Sequence, residues 1–285
     1  MKSLLFSLIF CFTLQAQSEL IIMMGDIATT VVPDEMETTR YLAALTTPLS
    51  DSQEVNINTF IRMLKDSLAI DSLPQKFDVM YLFANETSEA GLLNLVKRDN
   101  DAEVLQATVT FTAWQGFAGD GVGGIITTNY NPSTEGNNYT VNNASFGLYS
   151  RTNSAAAVRD GGGADGTQST VLAIKWSDNN TYSIINNLSN LSPAMSSSAG
   201  LHIITRTAAA VAKRYYNADS LATDTDAAIG IPNKNFYVCA PNGSATFSNR
   251  QFAFAFLGAG FTTTEIRKIN NCVEWYMDEI GAGVE

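Results

Sequence analysis

One histidine, three cysteines and 17 basic residues against 28 acidic ones are little chemistry for a chain of 285 residues, and each scarcity excludes something. A serine triad needs a histidine beside a nucleophile elbow. His202 instead lies in the strand-like GLHIITRT, in a sequence without G-x-S-x-G, and is read as structural. A structural zinc site takes about four Cys or His ligands, more than this chain can supply after loss of a leader. The net charge of −11 disfavours nucleic acid and anionic membranes as partners, because both are held by clustered Lys and Arg. No apolar run after the N-terminus is long enough to span a bilayer. Charged residues make up only 16%, while Asn, Thr, Ser and Gly abound, which points to a loop-rich β protein.

The N-terminal MKSLLFSLIFCFTLQAQS has the form of a secretory signal peptide over residues 1–16. Lys2 is its basic start, Leu4 to Leu14 its apolar stretch, and Leu14-Gln15-Ala16 its cleavage tripeptide. The expected location is extracellular. Cleavage would leave Cys239 and Cys272. An oxidising compartment permits a bridge between them, but spacing does not set their proximity, and both are read as small buried hydrophobes.

Two periodicities divide the rest. From Pro33 to about Asn100 the pattern is helical, a lead-in segment assigned to residues 17–105. SDSQ at Ser50 reads as a capping box with Gln53, followed by one apolar face of Ile57, Phe60, Ile61, Leu64 and Leu68. FDVMYLFANETSEAGLLNLVKRDN reads as a further helical or mixed segment. From about Thr108, short β runs alternate with turn-rich breaks, among them TVTFTAW, ASFGLYSR, STVLAIKW, TYSIIN, GLHIITRT and RQFAFAFLG. In the last of these, Phe252, Phe254 and Phe256 are expected on one strand face. The tail returns to helix: Thr262 and Glu265 form a second capping box, and Ile266, Ile269, Val273, Met277 and Ile280 form a stripe that should lie on the sandwich.

GDGVGG, Gly119 to Gly124, fits the dinucleotide fingerprint G-x-G-x-x-G. That fingerprint requires a helix to follow, and IITTNYNPSTEG has no helical period, so a loop between strands is expected.

Around FTAWQGFAGDGVGGIITTNYNPSTEGNNYTVNNASFGLYSRT, and again at NFYVCAP and RQFAFAFLGAGFTTTEIRKINNCVEWYMDEIGAG, the chain resembles concanavalin A-like (lectin/glucanase, laminin-G-like) sandwich proteins of the kind encoded by tailed phages. The resemblance implies a mainly β fold: an antiparallel jelly-roll sandwich over residues 106–285, with a helical lead-in and a C-terminal helix packed on it. It further implies a structural or adhesive protein of a virion or cell surface, a surface glycan or host cell as partner, and a possible homo-oligomer.

Retaining glucanases of this scaffold carry E-x-D-x-x-E on one strand, and no such spacing occurs here. The expectation is therefore a protein that is not an enzyme and has no catalytic residues. A glycoside hydrolase with a different carboxylate pair, and a ligand-free assembly protein, are the alternatives. Lectins hold sugars with aromatic rings and Asn or Asp, often beside calcium. Trp114, Asp178, Asn179 and Tyr215 are the candidate sugar contacts. Trp176 shares an apparent strand face with Leu172 and Ile174 and is assigned to the core. Asp160, Asp165 and Asp178 lie in turns but lack D-x-D-x-D spacing, so neither a metal nor another cofactor is assigned, with calcium the one considered.

Overall fold

Apolar residues recurring every three or four positions can be buried together only on one side of a helix. The computed structural model, which describes residues 34–284, forms that helix: α1 (Met36–Leu42) leads to α2 (Asp51–Leu68), whose Ile57, Phe60, Ile61, Leu64 and Leu68 are all buried. The leader-like residues 1–16 lie outside the described residues. The start of α2 departs from the expected capping box. Ser50 makes no side-chain cap, and the Gln53 amide turns inward to donate to Asn85 Oδ1 (3.0 Å) and the Tyr276 hydroxyl (2.8 Å). Glu86 takes over the missing role, its carboxylate accepting the Ser50 N–H at 2.8 Å. Two buried partners outweigh one exposed local bond.

The strands in chain order are β1 (Phe77–Tyr81), β2 (Glu103–Val104), β3 (Thr110–Thr112), β4 (Gly116–Ala118), β5 (Ile126–Thr127), β6 (Ala144–Ser150), β7 (Gly161–Ala164), β8 (Ser169–Ala173), β9 (Tyr182–Asn187), β10 (Gly200–Ala208), β11 (Val211–Tyr216), β12 (Asp219–Asp224), β13 (Tyr237–Val238) and β14 (Gln251–Gly258). Short helices α3 (Ser88–Leu92) and α4 (Pro132–Glu135) interrupt them, and α5 (Thr263–Glu279) closes the chain. One sheet runs β12-β11-β10-β6-β14-β4-β3 with β1 also paired to β14; the other runs β2-β5-β13-β7-β8-β9. The protein is a mainly β, antiparallel sandwich with a C-terminal helix packed on it. β1 and β2 precede residue 105 and pair with β14 and β5. FDVMY is a short apolar run of a kind that periodicity alone cannot assign to helix or strand.

Two cores result. Phe146, Leu148, Leu172, Ile185, Ile204 and Val238 fill the space between the sheets. Leu201, Ile203 and Tyr149 point from the other face of the first sheet to α2 and α5, where they meet Ile57, Ile269 and Tyr276. The first sheet is thus covered on both faces. The phenylalanines of β14 do not share a face: Phe252 joins the inter-sheet core, and Phe254 and Phe256 join the core beneath the helices. A register irregularity between Phe252 and Phe254 inserts one residue, and a shift of one reverses every later side chain. The α5 capping box forms as expected, and Gly281 follows the helix at φ 69°.

Candidate functional site

With helices on the first sheet, the outer face of the second sheet is the open one. Parity fixes which residues it carries. Leu172 and Ile185 enter the inter-sheet core, so their neighbours Val171 and Ile184, paired across β8 and β9, point outward. With Trp176, Tyr182, Arg159 and Asn190 they line an open cleft of about 240 Å³.

Trp176 was expected in the core, and the backbone just before it explains the difference. β8 ends at Ala173, and two buried groups then hold the chain in a bend. Asp160 Oδ2 accepts the Ile174 N–H at 2.7 Å, and Arg250 Nη2 donates to the Lys175 carbonyl at 2.7 Å. Strand alternation stops there, and Trp176 faces the cleft instead of following Leu172 and Ile174 inward. Its indole meets the Tyr182 ring edge to face, with centroids 5.8 Å apart at 75°. Between them runs the turn Ser177-Asp178-Asn179-Asn180. Trp176 N–H donates to the Asn180 carbonyl (2.7 Å), and Asn179 takes the left-handed conformation at φ 63° that Asn tolerates well. The Tyr182 hydroxyl donates to Asp178 Oδ2 at 2.7 Å, and Asp178 Oδ1 accepts the Asn180 N–H at 2.9 Å. The tyrosine hydroxyl, then the backbone N–H, hold the Asp178 carboxyl below the usual range, and the same bond raises the Tyr182 hydroxyl.

Two of the four expected sugar contacts, Asp178 and Asn179, therefore stand in the turn beside the cleft. The other two lie elsewhere. Trp114 is half-buried in the β3–β4 turn at φ 65°, its N–H donating to the Asn85 carbonyl at 2.8 Å. Tyr215, a candidate sugar contact, is instead buried under α5 with its hydroxyl 2.7 Å from Thr263 Oγ1, away from the cleft. Its strand neighbour Tyr216 stacks on His202. Arg159, Tyr182 and Asn190 were missed, although Trp176 and Tyr182 flanking an Asp-Asn-Asn turn was a readable signal.

The other conspicuous groups are committed to structure. Asp160 and Arg250 form a fully buried pair at 2.7 Å, joined by Ser248. Asp165 Oδ1 accepts the Thr167 and Gln168 N–H groups of its own turn. His202 is buried: Nδ1 accepts from Arg214, and Nε2 donates to the Ser198 carbonyl at 3.2 Å. Burial, then Arg214, keep its proton affinity well below the ordinary value. No group of three or more His, Cys, Asp or Glu among the described residues is placed to hold a metal. Cys239 and Cys272 are buried and unbridged.

The glycine fingerprint has a self-contained explanation. Asp120 Oδ1 accepts the N–H groups of Val122 (2.9 Å), Gly123 (2.8 Å) and Gly124 (2.7 Å). The backbone nest that would cradle a phosphate is filled by the loop's own carboxylate, and those three donors pull its pKa strongly down.

No protein-family profile and no curated protein matches this sequence. Solved structures do resemble it. Trypanosoma rangeli sialidase in complex with sialic acid aligns at TM-score 0.52 and 14% identity, covering 87% of this chain and 38% of the sialidase. The same enzyme with a 2,3-difluoro-KDN aligns at TM-score 0.51 and 12% identity, over 81% and 40%. A mutant of HCR/D aligns at TM-score 0.50 and 13% identity, over 70% and 52%. What is shared is the sandwich. The chain spans between 38% and 52% of the length of these neighbours. One expectation is overturned: a sialidase is an enzyme, so a fold of this kind is no ground for expecting the absence of catalysis. The phage origin finds no support among these neighbours. Among the described residues no helix is long and apolar enough to cross a membrane.

Proposed function

We propose that the protein is a carbohydrate-active sandwich that binds a glycan in the Trp176–Tyr182 cleft. The perpendicular pair of half-buried rings on the open sheet face carries this reading. A sugar ring presents an apolar C–H face that packs on an indole, and its hydroxyls need the short polar groups that Asn190, Asp178 and Asn179 supply at the rim. The sialic acid complex of the similar sialidase supports a carbohydrate as the class of ligand. A glycan array followed by calorimetry on the full chain tests the reading. Trp176→Ala should weaken binding tenfold or more, with an unchanged far-ultraviolet circular dichroism spectrum. Equal binding by the variant would refute the site.

Glycoside hydrolysis is the second reading, favoured by the likeness to a sialidase. Asp178, held ionised, suits a nucleophile or base, and hydrolysis would require a second carboxyl roughly 5 to 9.5 Å away. Chromatography of the same glycans after prolonged incubation tests it: new reducing ends that disappear in Asp178→Asn support it. A cell or virion surface is the setting proposed, on the strength of the leader-like N-terminus and the concanavalin A-like resemblance.

A further inference from the structure

The charge lining the cleft is opposite in sign to the net charge of the chain. Seventeen basic residues stand against 28 acidic ones overall, yet the one charged side chain among the six lining residues is Arg159. Lys175, in the bend after β8, is turned away to donate from Nζ to the Ser196 carbonyl at 2.8 Å. The nearby anion, Asp178, lies in the turn at the rim, turned to the Tyr182 hydroxyl and the Asn180 N–H. Arg159 is far less engaged. Among the described residues its side chain donates from Nη1 to Ser244 Oγ at 3.4 Å, the long end of the range, and forms no ion pair. Three arginines of the sheets behave differently: Arg206, Arg214 and Arg250 are completely buried and direct donors to carbonyls, a hydroxyl, a histidine or a carboxylate. Arg159 is anchored at its backbone instead, since the adjacent Asp160 is locked by Arg250 and Ser248. An exposed guanidinium, held at its root and lining the same cleft as two aromatic rings, is a planar fork for an anion.

The geometry points to an acidic sugar as the ligand: a ring packed on Trp176 and Tyr182 whose carboxylate or sulfate pairs with Arg159. This inference rests on the glycan-binding reading and sharpens it to a substrate class.

The test is calorimetry of the full-length protein with three probes of matched length: an oligogalacturonate, its uncharged oligogalactose counterpart, and a sulfated oligogalactose, each at low and at physiological salt. The expected result is about a fivefold preference for an acidic probe over the neutral one, the scale of one partly exposed ion pair, shrinking as salt rises. Arg159→Gln should abolish the preference, bringing the acidic probes down to the affinity of the neutral one, and Arg159→Lys should restore part of it. Preference for the carboxylated or for the sulfated probe identifies the anion. Equal binding of neutral and acidic probes, or a preference that survives Arg159→Gln, overturns the inference and leaves the glycan site standing. Absence of binding by all three probes, unaltered in Trp176→Ala, overturns both.

Discussion

Replacing Asp160 with alanine removes a carboxylate that no solvent reaches. Its Oδ1 accepts from Arg250 Nη1 and Ser248 Oγ, both at 2.7 Å, and its Oδ2 accepts the Ile174 N–H at 2.7 Å. After the substitution the Arg250 guanidinium, itself fully buried, keeps only the Ser154 and Lys175 carbonyls, and its Nε already lacks a partner. Breaking a buried pair on one side costs about 3 to 5 kcal/mol, most of it the uncompensated charge left behind. For a folded unit of this size each kcal/mol lowers the melting midpoint by about 2 to 4 °C, so a fall of roughly 6 to 20 °C is expected. Removing both charges with Asp160→Ala plus Arg250→Met takes the orphaned cation away, and should recover more than half of the loss. Thermal melts followed by circular dichroism at pH 7 give the three midpoints. Additive losses in the double variant, or a loss below about 1 kcal/mol in Asp160→Ala, would refute the claim that the pair acts as one buried unit. Because the same two residues create the bend before Trp176, the single variant should also shift tryptophan emission toward the red.

Other outcomes follow from individual contacts. His202 is neutral and buried with its proton affinity depressed, so the unfolded chain takes up a proton near pH 6.5 that the folded chain refuses. Stability should be full above about pH 6.5 and fall below it by up to 1.4 kcal/mol per pH unit; melts between pH 7.5 and 5 should show a slope that His202→Gln flattens. At the start of α2, Glu86→Ala should cost about 0.5 to 1 kcal/mol and Ser50→Ala almost nothing, because the distant carboxylate and not the serine hydroxyl serves the helix end; denaturant titrations compare the two. Asp120→Ala should expose the amides of Val122, Gly123 and Gly124 to fast hydrogen exchange, read by mass spectrometry, while the wild-type loop stays protected even below the usual carboxylate range.

The legible part of this fold was what side chains announce. Alternation located β6, β8, β9, β10 and β14, and the stripe from Ile266 to Met277 located α5. The glycine strand β7 was hidden because Gly161, Gly162 and Gly163 have no side chains to alternate, although the first and third pack directly on core rings. The edge strand β12 was hidden because its residues are largely exposed and polar, so it reads like a turn. The site was half legible. Asp178 and Asn179 announce a turn, but the outward swing of Trp176 depends on Asp160 and Arg250, residues 16 and 74 positions away, and no local pattern encodes that. The reversal of Phe252 against Phe254 has the same origin, since an inserted residue leaves no mark on an F-A-F-A-F sequence.

That reversal has a consequence for how the molecule comes apart. A single ribbon threads its rings first into one apolar compartment and then, beyond the irregularity, into the other, so neither compartment can melt while its neighbour keeps shape. Heating should therefore give one calorimetric peak rather than two, and a lesion at either end of β14 should be felt on the far side of the sheet.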